Sequence, residues 1–126
     1  MSLMRNPDAK HLDFSELAGL FPDNPKFLPS NLDMVAERNG CFFISEWKRP
    51  EENMSGGQRL LLRRLANLPK TIVLLVEGDT DNGMHVEDVL WIPPTGTMVS
   101  LGNTKEDFIQ AYKDWYEGAD KVEVNK

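Results

Sequence analysis

The chain has little with which to build most of the common catalytic centres. It holds one cysteine, Cys41, and two isolated histidines, His11 and His85. A single thiol excludes an internal disulfide and any cysteine-rich metal cluster, so a reducing, cytoplasmic setting is expected. Without a second histidine nearby, neither imidazole makes a zinc site. The longest apolar runs, such as Ile72–Val76, fall far short of the roughly 20 residues a membrane helix needs, so no membrane is expected as a partner. There is no P-loop, no dinucleotide-binding glycine fingerprint and no nucleophile elbow. Asp79-Thr80-Asp81-Asn82-Gly83 has the composition of a calcium loop but not its spacing, because position twelve from Asp79 is Leu90 and not glutamate. It reads as a turn. Internal repeats and low-complexity stretches are also missing.

What is present is an ordinary globular composition. With 126 residues, 40% hydrophobic and 27% charged, residues 1–126 are expected to form a single domain, with 1–12 and 119–126 flexible. The net charge of −6 is unevenly spread. Residues 47–70 carry six basic and two acidic groups, net +4, while 1–46 and 71–126 are net −3 and −7. The basic block is either a phosphate-facing patch, with Arg59 and Arg63 on one helical ridge, or a solvated helix face.

Asp13-Phe14-Ser15-Glu16 reads as a capping box opening a short helix from Phe14 to Leu20, stopped by Pro22. Two strands follow, Leu32–Arg38 and Cys41–Trp47. Ser55 caps a helix to about Asn67, with Leu61, Leu62, Leu65 and Leu68 as its buried stripe. Thr71–Val76 is a β-branched and leucine run suited to a buried central strand. A turn over Glu77–Gly83, a strand Val86–Ile92 and a short edge strand Thr97–Leu101 come next. Thr104 opens a last helix, ended by Gly118, with Phe108, Ile109, Tyr112, Trp115 and Tyr116 facing the core. Both faces of the two hairpin strands are largely apolar, which predicts a layered α/β fold.

The most specific signal is Asn39-Gly40, the preferred pair for a two-residue hairpin turn with positive φ at both positions. That turn sets Arg38 opposite Cys41 and, further along, Asp33 opposite Glu46. Lys48 projects from the same face, because side chains alternate with period 2. Directly opposed residues have Cβ atoms about 5 Å apart. At an effective dielectric near 20, two carboxylates there repel by about 3 kcal/mol. Glu46 also follows the mostly apolar Cys41–Ser45, where a lone carboxylate is costly. Such a pair calls for a cation, or for one acid held protonated. Strand-end solvation, or a simple Lys48–Glu46 pair, is the plainer account. Two carboxylates and an ammonium around a hard cation form a phosphodiester-cleaving constellation.

Asp33, Glu46-Trp47-Lys48 across a hairpin, and Gln58 early on the next helix resemble the PD-(D/E)XK nuclease superfamily. The stretch SNLDMVAERNGCFFISEWKRPEENMSGGQ is similar to its virus-type replication-repair and Holliday-junction-resolvase branches. The likeness covers about residues 13–76. It implies a restriction-endonuclease-like mixed β-sheet with helices on both faces, with Asp33, Glu46 and the Trp47 carbonyl holding Mg²⁺ or Mn²⁺. Lys48 would assist the attacking water, and Gln58 would orient that water or the phosphate unless it only closes a capping box with Ser55. Glu16 is in the same position, either a cap or a further ligand. The implied activity is DNA endonuclease cleavage to a 5′-phosphate and a 3′-hydroxyl, structure-selective in repair or recombination, by a homodimer. The alternative is a non-catalytic module that keeps the scaffold and binds nucleic acid or a protein. The resemblance also implies a strand ahead of Asp33, for which the sequence leaves room only around Lys26–Leu28, or none.

Overall fold

The computed structural model describes residues 14–124. The chain divides into two units, the first ending at Asn31 and the second starting at Leu32. In the first, the expected helix Phe14–Leu20 is a single 3₁₀ turn, Ser15–Leu17, which buries no residue. A turn with no apolar face to bury gains nothing to offset helix nucleation, and the backbone becomes extended at Ala18. Asp13, the expected cap, lies outside the described residues. Turns follow from Pro22, and the residues flanking them, Phe21 and Phe27, meet edge-on with 5.8 Å between ring centres. The described residues contain no strand before Met34.

In the second unit the described residues form a five-stranded mixed sheet with two α-helices. The strands are β1 (Met34–Arg38), β2 (Cys41–Lys48), β3 (Thr71–Asp79), β4 (His85–Trp91) and β5 (Val99–Gly102), in that spatial order. Helix α1 (Gly56–Ala66) connects β2 to the parallel β3, and α2 (Lys105–Asp120) follows β5. The other neighbouring strands pair antiparallel. None of the described helices is long and apolar enough to cross a membrane.

The β1–β2 hairpin has the register that Asn39-Gly40 dictates. Those residues have φ of 52° and 82°, and pairing runs from Arg38 opposite Cys41 to Met34 opposite Ser45. Alternate residues of the sheet feed two cores. Phe43, Leu74, Val76 and Val89 pack with Phe108 of α2. Ile44, Val73 and Leu75 pack with Leu62 and Ala66 of α1 on the opposite face. β3 is therefore buried on both sides, as a central strand should be.

Helix α1 starts where Ser55 accepts from the Gln58 N–H at 3.1 Å and the Gln58 side chain accepts from the Ser55 N–H at 3.4 Å. Loss of this N-cap in Ser55→Ala is expected to cost about 1 kcal/mol, read as a lower melting temperature. Leu68, expected on the buried stripe, is 52% exposed. It lies beyond the Asn67 C-cap, and Ala66 takes the inner position.

β3 runs on through Glu77 to Asp79, where a turn was expected. Gly78 lies inside the strand and serves a close approach: a Cβ there would collide with the His85 carbonyl oxygen across the sheet. A bulge between Glu77 and Gly78 marks the same spot. Helix α2 likewise continues through Gly118. Its end is tied to the hairpin by the Asn39 amide donating to the Ala119 carbonyl at 3.1 Å and by an Arg38–Asp120 ion pair of 2.7 Å. Tyr116, expected in the core, is exposed and lies under the Arg38 guanidinium, 5.7 Å from the ring centre.

Candidate active site

The main-chain ladder of the hairpin stops at Met34–Ser45, and side chains continue the pairing beyond it. Asp33 Oδ2 accepts from the Trp47 N–H at 2.7 Å, and the Asp33 N–H donates to Glu46 Oε1 at 3.3 Å. Asp33 is exposed, whereas only 8% of Glu46 is accessible. The register thus sets one carboxylate at the surface and the other beneath it. Burial pushes the Glu46 carboxyl up to about 8, reinforced by its hydrogen bond to the Asp33 carboxyl and then by that group's charge. The Asp33 and Trp47 N–H groups pull weakly the other way. At neutral pH the Glu46 carboxyl therefore favours its neutral form, which is one of the two ways opposed acids are tolerated.

Trp47 lies between the two charged residues of its strand and points its indole to the other face. There its Nε1 donates to the buried Ser45 hydroxyl at 3.1 Å, and the ring meets Phe108 edge-on at 5.2 Å. This packing anchors the backbone that the acid pair uses. Lys48 is half-buried on the α1 face with Glu46. Its ammonium pairs with Glu77 Oε1 at 3.4 Å and donates to the Glu52 carbonyl at 3.2 Å. The plain Lys48–Glu46 pair is therefore not the one formed.

Gln58 is exposed, and its side chain is engaged in the α1 cap. Of the expected residues, the fold brings Asp33, Glu46 and the Trp47 main chain together. It sets Lys48 further along the same strand and leaves Gln58 in its capping box. Glu16 stands exposed on the 3₁₀ turn of the first unit. Several groups of the basic block are engaged within the chain: Arg49 pairs with Asp81 at 2.9 Å and Arg63 donates to the Pro93 carbonyl. The sequence does not single out Glu77, because Glu77–Gly83 reads as a turn. A strand continuing past Val76 would put it on the face of Val73 and Leu75, and only the parallel register with β2 brings it opposite Lys48.

The donor set suits a hard cation. Among the described residues no three carboxylate, imidazole or thiol groups converge on one point, which argues against an all-protein cage. Mg²⁺ needs only one or two carboxylates, with water and substrate phosphate completing its shell. Asp33 and Glu46 are the two carboxyls that could fill that role, an ion then replacing the proton on Glu46. No protein family, curated protein or solved structure matched the chain when it was compared with each.

Proposed function

We propose that this protein is a Mg²⁺- or Mn²⁺-dependent endonuclease with a restriction-endonuclease-like fold, hydrolysing DNA phosphodiester bonds. The observation that carries the reading is the Asp33–Glu46 pair, two carboxyls each held by a main-chain N–H at the end of a hairpin, with an anchored lysine on the same strand. The order hairpin, helix, parallel strand supports the fold assignment. A bound divalent ion would neutralise charge at the phosphoryl group and lower the pKa of a water so that hydroxide is available as nucleophile.

The chain's own residues do the rest. Asp33 and Glu46 hold the ion with the Trp47 carbonyl, and the Asp33–Trp47 hydrogen bond fixes the exposed carboxylate against the strand. The Lys48 ammonium stabilises the negative charge that develops on a phosphate oxygen and orients the incoming water. One such site cuts one strand, so scission of a duplex requires a homodimer or two binding events.

The test is incubation with branched, single-stranded and duplex DNA in Mg²⁺, Mn²⁺ or chelator. Metal-dependent products bearing a 5′-phosphate and a 3′-hydroxyl are expected. If all three substrates remain intact, the non-catalytic binding module is left as the reading.

A further inference from the structure

We propose that Glu77 is a positioning residue that holds the Lys48 ammonium in place for phosphodiester cleavage; the inference rests on the nuclease reading and adds a residue to the same site. Lys48 and Glu77 are register partners on the parallel strands β2 and β3. Period-2 alternation sets both on the α1 face that also carries Glu46. The carboxylate lies 3.4 Å from the ammonium, and the two side chains are only 19% and 31% exposed. The Glu52 carbonyl accepts from the same ammonium at 3.2 Å.

A lysine side chain has four rotatable bonds and, unheld, spreads its charge over many rotamers. Two anchors, one on a central strand and one on the loop after β2, confine it before substrate arrives. Prepaid ordering of this kind is what fixes a reacting geometry. Glu77 is not a third metal ligand, since no three candidate ligand groups converge among the described residues. Its role runs through Lys48.

The strand is also shaped at this point. The β3–β4 register shifts between Glu77 and Gly78, and Gly78 leaves no room for a Cβ against the His85 main chain. Bulges of this kind re-aim a neighbouring side chain. Here the bulge fixes the direction of the strand that carries Glu77.

Glu77→Gln keeps an acceptor oxygen for the ammonium but removes the charge, and Glu77→Ala removes both. With saturating DNA and Mg²⁺, kcat is expected to fall about tenfold in Glu77→Ala and less in Glu77→Gln. The KM for DNA and the affinity for Mn²⁺ should stay within about twofold of wild type. Unchanged kcat in both variants, or equal losses in metal affinity, would overturn the proposal. Should the alanine variant fold poorly, the glutamine variant carries the comparison alone.

Carbon-13 relaxation at Lys48 Cε supplies an arm independent of catalysis. Its order should drop when Glu77 is replaced, and unchanged order would also overturn the proposal. A wild-type protein that cleaves no DNA sinks the nuclease reading and with it the catalytic use of Glu77, while the relaxation arm still decides whether Glu77 holds the lysine.

Discussion

Asp33→Asn, Glu46→Gln and Lys48→Ala are each expected to lower metal-dependent DNA cleavage by about a hundredfold or more, with the fold retained. The asparagine at position 33 keeps an oxygen able to accept the Trp47 N–H, and the glutamine at 46 keeps one for the Asp33 N–H. What each loses is an anionic oxygen, which a neutral amide does not replace for a hard cation. Lys48→Ala removes the charge that opposes the developing phosphorane anion and leaves Glu77 without its partner. Initial rates at saturating Mg²⁺, with melting temperatures as the folding control, measure all three. A fully active Asp33→Asn would reject the assignment.

The second large effect is on stability and follows from the proton that Glu46 retains. The folded Glu46 carboxyl titrates at about 8 against an ordinary 4.5, chiefly because it is buried and then because Asp33 faces it. Above pH 4.5 the unfolded chain releases this proton while the folded one keeps it. The contribution is therefore complete below about pH 4.5 and is lost as pH rises towards 8. The slope is at most about 1.4 kcal/mol per pH unit. Water reaching the exposed Asp33 side screens the pair, so a total on the order of 2–3 kcal/mol is reasonable. Glu46→Gln, which carries no titrating proton, should match wild type near pH 4.5 and exceed it by that amount at pH 8. Denaturant titrations at the two pH values check the sign. Saturating Mg²⁺ should shrink the difference, because the ion stabilises only the folded wild type.

These two effects pull in opposite directions at one residue. Glu46→Gln should make the protein more stable above neutral pH and inactive. A carboxylate retained at a cost to stability is expected where it serves a function.

Short-range chemistry was legible in the chain, and long-range register was not. Asn39-Gly40 specifies its turn through backbone sterics alone, so the opposition of Asp33 and Glu46 could be counted out residue by residue. Ser55 and Gln58 similarly announced the start of α1, and that local cap is where the structure leaves Gln58. The partner of Lys48 could not be reached by counting. Glu77 arrives through the parallel β2–β3 register, which the path of α1 sets and no turn signal encodes. Gly78 compounded the difficulty, since a glycine that admits a neighbouring backbone looks in sequence like one that ends a strand. Tyr116 reads as a core residue by helical spacing, yet it is exposed, with the Arg38 guanidinium over its ring. Leu68 keeps the spacing of the α1 stripe but falls after the helix has ended.

Calorimetric titration of the apoprotein with Mn²⁺ at pH 8, beside Asp33→Asn, tests the central claim most directly. One ion bound per chain in the wild type, released protons detected through the buffer's ionisation heat, and loss of binding in the variant are predicted. An absence of binding in the wild type, or equal binding in Asp33→Asn, would contradict it.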